Sequence, residues 1–204
     1  GIRPVSAGFM QEVKSLCEEH GLVLMLDEVQ CGIGRTGKLF AHMHSGIEPD
    51  VMALAKGLGG GFPVGACLTT EAVGEAMVVG THGSTFGGNP LAMAVGNAVM
   101  DLLLEPGQLN DVVRKADYFR KHLQRLVEHF PEVVVSVHGL GLMVGLKCKV
   151  PNTDMLNKLR DKKLVVGTSG ANMIRLLPPL NVSDEHLANA LEIIEEALKE
   201  FHDA

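Results

Sequence analysis

The hydrophobic pattern at the start of the chain predicts a helix followed by a buried strand. Residues 6–20 carry apolar side chains at helical spacing, between a capping Ser6 and a terminating Gly21. Leu22–Leu26 is a continuous apolar run, which is typical of a strand covered on both faces. A second run of this kind is Val51–Ala55. A helix followed by buried strands predicts an α/β fold with a parallel sheet.

Two charged residues follow these strands directly. Asp27 ends the first apolar run and Lys56 ends the second. Open α/β sheets bind ligands at the carboxyl ends of their strands, so two neighbouring parallel strands would bring this acid and this lysine to one crevice. Pyridoxal phosphate chemistry requires such a pair, because a lysine holds the aldehyde and a carboxylate keeps the pyridine nitrogen protonated. Taken singly, each residue is more often a solvated charge or a turn cap.

A loop rich in glycine and hydroxyl groups, Thr81–Gly88, precedes a further apolar helix. A strand is predicted before it at Phe62–Thr69, and Asn89 and Pro90 are typical of a helix start. Backbone N–H groups, hydroxyls and a helix N-terminus together favour an anion, although an ordinary capped loop has the same pattern. The helix Pro90–Leu104 is apolar nearly all round, which predicts burial against the core or a partner.

The pattern changes after Glu105–Gly107 to that of an α+β layer. The predicted elements are a helix Leu109–Phe130, a hairpin of Val133–Val137 and Leu142–Leu146, a helix Asp154–Lys163, strands Leu164–Val166 and Met173–Leu176, and a helix capped by Ser183. The last helix keeps one apolar stripe, at Leu187, Leu191, Ile194, Leu198 and Phe201. This change of pattern favours a domain boundary near residue 106.

The composition argues against several classes of partner. The chain of 204 residues has a net charge of −6 and no basic stripe interleaved with aromatic residues, so neither nucleic acid nor an anionic membrane is expected to bind. No apolar stretch has the length of a membrane span, and the start, Gly1–Pro4, lacks both a signal peptide and an initiator methionine.

The cysteines and histidines do not form a metal-binding pattern. The four cysteines have no paired spacing, which predicts reduced thiols in a cytoplasmic protein and no zinc site. Cys31 lies beside the predicted crevice, where it is either a reactive thiol or, as we expect, a small space-filling residue. His42 and His44 have no acid or cysteine near them in sequence, so we interpret them as surface histidines rather than metal ligands.

The segment Gly32–Gly37 is a GxGxxG sequence and provides an alternative hypothesis, a nucleotide-binding module. With Lys38 it also approaches a phosphate-binding P-loop, but Leu39 stands where that motif needs Ser or Thr. A dinucleotide fold requires these glycines directly after the strand and a long helix behind them. Here Glu28–Cys31 intervene and Gly46 follows too soon, so the motif is weak evidence.

Four motifs together resemble a known family. They are Asp27–Gly37 (DEVQCGIGRTG), Ala55–Pro63 (AKGLGGGFP), Thr81–Pro90 (THGSTFGGNP) and Ile174–Leu180 (IRLLPPL). These sequences resemble those of the class III, fold type I aminotransferases, and the resemblance extends over nearly the whole chain. The resemblance implies that residues 1–106 are the carboxyl-terminal part of a large, mostly parallel-sheet domain that binds the cofactor. Residues 107–204 would be the small α+β domain. Because family members are much longer, the chain looks like a carboxyl-terminal half.

The resemblance also implies roles for the residues of the cofactor site. Lys56 would hold pyridoxal 5′-phosphate as a Schiff base and then act as general base and acid. Asp27 would pair with the protonated pyridine nitrogen, Val29 would pack on the ring, and Gln30 would hydrogen-bond the phenolic oxygen. Thr85, with Ser84 beside it, would bind the phosphate of the neighbouring subunit's cofactor in a homodimer with shared sites.

The implied reaction is a ping-pong transamination with 2-oxoglutarate and glutamate. Arg175 would clamp the α-carboxylate, although without the family it is equally well a strand-edge arginine. Glu28 is a further expected substrate-binding residue. The expected donor is N-acetylornithine or a related ω-amino compound, in arginine biosynthesis. Enzymes of ornithine, succinylornithine and 4-aminobutyrate share these motifs and remain alternatives. The family's first phosphate-binding loop is missing from these residues. A further alternative is therefore that the chain is an inactive structural fragment.

Overall fold

The first helix begins and ends at the residues that the sequence predicts. The computed structural model describes residues 2–203, and its first helix, α1, spans Ala7–His20. The Ser6 hydroxyl caps the start by accepting a hydrogen bond from the Phe9 N–H at 3.3 Å. Gly21 ends the helix in a left-handed conformation with φ of 62°, which residues with a side chain rarely adopt.

A three-stranded sheet carries the two charged strand ends. Its strands in spatial order are β1 (Met25–Asp27), β2 (Val51–Leu54) and β3 (Ala66–Thr69). β1 and β2 are parallel, which confirms the predicted pair, and Asp27 lies opposite Ala53. β3 returns antiparallel to β2. One of the two pairings in this sheet is thus parallel.

The predicted strand Leu22–Leu26 is wrong in its bounds and in its burial. β1 begins later in this run, and the side chains of Leu22 and Val23 are exposed. The Leu24 N–H donates a hydrogen bond to Asp50 Oδ2 at 2.8 Å. The prediction instead placed this N–H in a hydrogen bond with a neighbouring strand. Among residues 2–203, β2 is the one strand that pairs with β1, so an apolar run suited to a covered strand remains partly uncovered.

Two helices complete this part of the chain. They are the short helix α2 (Glu71–Gly74) and α3 (Pro90–Leu104). The Asn89 side chain caps α3 by accepting from the Ala92 N–H at 2.9 Å, as predicted. Four large apolar side chains of α3 are nevertheless exposed, at Leu91, Met93, Leu102 and Leu104. Burial against the chain's own core, one of the two predicted alternatives, accounts for only part of this helix.

The remaining elements form the predicted α+β layer. Its helices are α4 (Gln108–His129), α5 (Asn152–Asp161) and α6 (Asp184–His202), and its strands are β4 (Val134–Leu140), β5 (Met143–Cys148), β6 (Gly167–Ser169) and β7 (Met173–Leu176). The sheet has the order β4-β5-β7-β6 and is antiparallel throughout. α6 starts at the predicted cap, where the Ser183 hydroxyl accepts from the His186 N–H at 3.1 Å.

Two predictions in this layer need correction. The predicted strand Leu164–Val166 is irregular backbone, and the strand that forms, β6, follows it. The Leu164 N–H is used by the end of α5, because it donates to the Leu159 carbonyl at 2.9 Å. Both hairpin strands run longer than predicted, so that His138–Leu140 lies in β4 and not in the turn.

The core of this layer lies between the antiparallel sheet and the three helices. The predicted stripe of α6 is buried in it, at Leu187, Leu191, Ile194 and Leu198, with Phe201 partly buried at its edge. The other elements also contribute side chains to this core. They include Phe119 and Leu123 of α4, Leu146 of β5, Met155 and Leu159 of α5, and Ile174 of β7. Such close-packed apolar burial is the main stabilising term of a domain.

The described chain divides into two compact units. One comprises residues 5–109, and the other comprises residues 110–203 together with residues 2–4. The domain boundary expected between residues 106 and 107 remains a prediction, and the ends of the expected domains, Gly1 and Ala204, lie outside the described residues. No helix within residues 2–203 is long and apolar enough to cross a membrane.

Candidate active site

The fold brings Asp27 and Lys56 to one edge of the first sheet. Asp27 is the last residue of β1, and Lys56 follows shortly after the last residue of β2. Because these strands are parallel and paired, their carboxyl ends point the same way, and adjacent strands lie about 4.8 Å apart. The two side chains that the sequence singles out therefore start from neighbouring strand ends.

Lys56 has an unusual backbone conformation. Its φ is 46°, in the left-handed region, and it opens a 3₁₀ turn at Lys56–Gly59. This region costs a residue with a side chain roughly 1–2 kcal/mol. Lys56 is exposed, and within residues 2–203 its ammonium group has no hydrogen bond or ion pair. Backbone strain of this kind is found preferentially at functional sites.

Asp27 forms a tight turn and keeps one oxygen free of the chain. Its Oδ1 accepts a hydrogen bond from the Val29 N–H at 2.9 Å, an Asx turn that redirects the backbone after β1. Its Oδ2 has no partner among the residues that the structure describes. Val29 and Gln30 lie in this turn and are half-buried. Three of the predicted cofactor residues thus share one turn.

Glu28 is buried after β1, and its expected contact with substrate stays a prediction. It is 2% exposed, and its carboxylate accepts hydrogen bonds from Ala41 and His42, besides the contact with the Cys31 thiol. Oε2 binds the Ala41 N–H at 2.7 Å, and Oε1 binds the His42 N–H at 2.8 Å and the His42 ring Nδ1 at 2.9 Å. The structure therefore places the Glu28 carboxylate against the backbone and ring of its own loop.

His42 is also different from its prediction as a surface histidine. Its ring is largely buried, contacts Glu28 and stacks on Phe40, with ring centroids 5.6 Å apart. Sequence analysis missed this contact because Glu28 and His42 are separated by a loop whose path no local pattern defines. His44 is exposed at residue level, and its Nε2 lies 3.2 Å from the Thr36 hydroxyl. No cluster of three or more potential metal ligands occurs in residues 2–203.

Cys31 is the space-filling residue of the two alternatives. Burial raises the pKa of its thiol to about 11, and the negative charges of Glu28 and Asp27 add to this effect. The thiol therefore stays protonated near neutral pH and lacks the thiolate character of a reactive cysteine. Its Sγ lies 3.6 Å from the Asp27 carbonyl and 3.8 Å from Glu28 Oε2.

The GxGxxG segment has the geometry of a packed loop. A four-residue 3₁₀ turn, Ala41–His44, follows it, so the long helix of a dinucleotide-binding unit is not formed. Within the segment, Ile33 is 3% exposed and has a left-handed φ of 54°, which is a rare conformation for a β-branched residue. Ile33 contacts the residue after Lys56: a Cβ built on Gly57 would lie 3.2 Å from the Ile33 Cβ.

The glycines after Lys56 permit a close approach of other elements. A Cβ on Gly59 would lie 2.7 Å from Val64 Cγ1 and would force a shift. Gly60 has φ of 56°, and a Cβ there would lie 3.0 Å from Val99 Cγ2 on α3. The loop that follows Lys56 is therefore packed on Val64 at Gly59 and on α3 at Gly60, where a side chain has little room.

Ser84 and Thr85 lie in an exposed loop ahead of α3. The Ser84 hydroxyl oxygen accepts from the Gly87 N–H at 2.8 Å, which leaves its hydrogen available for donation. Thr85 has no hydrogen-bond partner among residues 2–203. Both hydroxyls can therefore donate to a further group.

Arg175, in the other compact unit, has an unsatisfied buried donor. It lies in β7 between Gly145 of β5 and Gly167 of β6 in the sheet register. Its Nε is buried and has no hydrogen-bond partner within residues 2–203. Buried polar atoms are nearly always paired, so an orphaned guanidinium nitrogen indicates a missing acceptor.

The comparison with known proteins identifies the family. The family model "Aminotransferase class-III" matches residues 1–198. The chain belongs to the class III aminotransferases. The predicted family is thereby confirmed, whereas the roles expected of Lys56, Asp27 and Arg175 stay predictions.

Individual relatives agree with this assignment. Acetylornithine aminotransferase of Mesorhizobium japonicum is 55% identical over 204 residues, which is all of this chain and 51% of that protein. A crystal structure of acetylornithine aminotransferase from Elizabethkingia anophelis matches with a TM-score of 0.89 and 34% identity, over 96% of this chain and 52% of that one. Ornithine δ-aminotransferase of Plasmodium falciparum matches with a TM-score of 0.90 and 34% identity, over 97% of this chain and 52% of that one.

These matches confirm the predicted fold type I architecture of the class III aminotransferase. They also agree with the expectation that the chain corresponds to part of a longer protein, since it spans about half the length of the curated relatives it matches.

Proposed function

We propose that the protein containing this chain is a pyridoxal-phosphate-dependent aminotransferase that transfers the terminal amino group of N-acetylornithine to 2-oxoglutarate. The observation that carries the proposal is Lys56, strained and without a partner, at the strand end beside the Asp27 strand end. Family membership supports the same chemistry, because a lysine and a carboxylate are the protein groups that this cofactor needs.

The residues at this edge fit the cofactor. The Lys56 amine has no partner within residues 2–203 and is available to hold the cofactor's aldehyde carbon covalently. Asp27 has one oxygen committed to Val29 and the other available for the protonated ring nitrogen. Val29 offers an apolar surface to the ring, and the Gln30 amide is available for the phenolic oxygen.

The chain's own groups then divide the chemistry between them. Bound pyridoxal phosphate supplies an electron sink for the charge that develops at the substrate carbon. Lys56 Nζ, once released from its covalent role, takes the proton from that carbon and returns it on the way to product. Asp27 keeps its negative charge next to the ring nitrogen and so keeps that nitrogen protonated.

Arg175 is the proposed binding group for the carboxylate of 2-oxoglutarate and glutamate. A guanidinium binds a carboxylate through two parallel hydrogen bonds, and this geometry would give the orphaned Nε its acceptor. A lysine at this position would provide one point charge and lose the planar fork.

The proposal includes a homodimer in which Thr85 and Ser84 bind the phosphate of the partner subunit's cofactor. Their hydroxyls lie exposed ahead of the capped N-terminus of α3, and this arrangement favours an anion. The exposed apolar residues Leu91, Met93, Leu102 and Leu104 of α3 provide a surface that a second copy could cover. The four cysteines are free thiols, which agrees with the cytoplasmic location that the proposal includes.

Ornithine is the second candidate donor. Relatives named acetylornithine aminotransferase support N-acetylornithine and hence a role in arginine biosynthesis, whereas solved ornithine aminotransferases have equally similar folds. Succinylornithine and 4-aminobutyrate are further donors to be compared. The choice depends on kcat/KM, because specificity is a ratio of these values for competing substrates.

The test uses the full-length protein. It is purified with pyridoxal phosphate, treated with borohydride and digested, and the modified peptide is identified by mass spectrometry. We expect the cofactor to be fixed on Lys56. Each donor is then assayed with 2-oxoglutarate, and N-acetylornithine should give the highest kcat/KM. A cofactor fixed elsewhere, or none fixed, would contradict the proposed site; a higher kcat/KM with ornithine would replace the donor and leave the reaction type unchanged.

A further inference from the structure

We infer that Glu28 is a positioning residue for Lys56: it fixes the loop from residue 28 to residue 42 so that Ile33 supports the backbone beside the lysine. This inference rests on the proposed function and deepens it. It differs from the expectation that Glu28 binds substrate, because the carboxylate acts here through the chain that surrounds it.

The first step is the tie that Glu28 makes across the loop. Its Oε2 accepts from the Ala41 N–H, and its Oε1 accepts from the His42 N–H and lies 2.9 Å from the His42 ring Nδ1. These bonds join the residue after β1 to the start of the 3₁₀ turn Ala41–His44. Hydrogen bonds to a charged carboxylate in a site that is 2% exposed are strong, because water does not compete for them.

The second step is the shape of the loop that this tie closes. Gly32 packs directly on Glu28: its N–H donates to the Glu28 carbonyl at 3.0 Å, and a Cβ there would lie 3.2 Å from Oε2. The Gly34 N–H donates to the Leu39 carbonyl at 3.0 Å and closes the next turn. Ile33 lies between these two glycines and is held in a left-handed conformation that an isoleucine avoids when unconstrained.

The third step is the contact between Ile33 and the lysine loop. A Cβ built on Gly57 would lie 3.2 Å from the Ile33 Cβ and 3.4 Å from its Cγ2, so the isoleucine side chain lies against one side of the residue directly after Lys56. Lys56 itself has a left-handed φ of 46°. A strained residue keeps its conformation only where its surroundings fix it, and Ile33 is the part of those surroundings that Glu28 controls.

The decisive variant is Glu28→Gln in the full-length protein loaded with pyridoxal phosphate. Glutamine has the same shape but one acceptor oxygen, so its NH₂ group faces at least one of the backbone N–H groups of Ala41 and His42. The matched control is Glu48→Gln, which removes an exposed carboxylate from the following segment that has no partner within residues 2–203.

Three quantities are measured per loaded site: kcat, KM for the amino donor, and the pH dependence of the visible absorbance of the lysine-bound cofactor. We expect Glu28→Gln to lower kcat roughly 10- to 100-fold and to shift the absorbance titration, with KM little changed, because a small displacement of a reacting group has effects of this size. Glu48→Gln should match the wild type. A fall in melting temperature alone, with wild-type kcat and absorbance per loaded site, would show a merely structural role and overturn the inference.

Combining Glu28→Gln with Ile33→Ala tests whether Glu28 acts on Lys56 through Ile33. If Glu28 acts through Ile33, the two effects on kcat will not add, and the double variant will resemble the more impaired single variant. Additive effects would overturn this route. Should Glu28→Gln fail to fold or to load, Ile33→Ala alone decides, and unchanged kcat and absorbance would refute the inference. A wild-type protein with no borohydride-reducible link at Lys56 would refute the proposed function instead, which is a separate result.

Discussion

The guanidinium of Arg175 lies directly over Gly167 of the neighbouring strand. A Cβ built on Gly167 would lie 3.3 Å from both Nε and Nη2 of Arg175. The variant Gly167→Ala should therefore displace the guanidinium without removing it. We expect KM for 2-oxoglutarate to rise about tenfold, the equivalent of about 1.4 kcal/mol of lost binding. Steady-state kinetics of the full-length enzyme measure this, with Gly8→Ala in α1, which meets no atom within 4 Å, as the control. An unchanged KM would mean that Arg175 does not bind this substrate.

Lys56 should be essential for turnover and unfavourable for stability. Both Lys56→Ala and Lys56→Gly remove the amine, so neither should catalyse transamination. Only glycine relieves the left-handed backbone, and it should raise the free energy of unfolding by up to about 1 kcal/mol relative to alanine. Urea denaturation of the two cofactor-free variants gives this difference. Turnover in either variant would refute the role of Lys56, and equal stabilities would show that its backbone is unstrained.

The variant Asp27→Asn should separate the turn from the charge. Asparagine still offers an Oδ1 to the Val29 N–H, so the turn after β1 and the melting temperature should be preserved. The neutral amide cannot keep the ring nitrogen protonated, and kcat should fall by orders of magnitude with a much smaller change in KM. Stopped-flow absorbance of the half-reaction measures the loss. A near-normal kcat would leave Asp27 as a turn residue only.

Thr85 should act on the cofactor of the partner subunit. The variant Thr85→Val removes a hydrogen bond to a charged group, worth roughly 1.5–3 kcal/mol, and should weaken cofactor retention. A mixture of full-length Thr85→Val and Lys56→Ala subunits should regain activity, because one site of the mixed dimer then has both an intact Lys56 and an intact Thr85. Subunit exchange is verified with tagged chains. If Thr85→Val is impaired alone and the verified mixture shows no recovery, the loop acts within its own chain.

Glu200 should make stability depend on acid pH. Hydrogen bonds from Lys158 and Lys162 lower its pKa from 4.5 to about 2. A carboxylate with a lowered pKa stabilises the folded state above its unfolded pKa, and this contribution is lost as the pH falls from about 4.5 towards about 2. The variant Glu200→Gln should show a smaller loss of stability across that range, measured by thermal unfolding at low salt. Glu195→Gln, on the same helix but without an ion pair in residues 2–203, should behave as the wild type.

Local signals in the sequence were reliable where one residue determines a backbone hydrogen bond. The caps Ser6, Asn89 and Ser183 each bind the N–H that the pattern assigns to them. The apolar stripe of α6 is likewise buried as expected, because helical spacing alone brings those side chains to one face. Errors occurred where a neighbour decides the outcome. The Leu164 N–H donates to the end of α5 and not to a strand. Leu22 is exposed because an apolar run is buried only where other elements pack on it.

The sequence by itself determined the family, the position of Asp27 and Lys56 at the ends of two apolar runs, and the position of Arg175 in a strand. Each of these depends on residue type and on spacing along the chain. Only the tertiary structure decided that Glu28 is buried and bound to Ala41 and His42, the observation from which we inferred a positioning role. It alone showed that the Ile33 side chain lies against Gly57. The physical reason is that such contacts join residues far apart in sequence, and their geometry follows from the packing of the loop, which local backbone preferences do not specify.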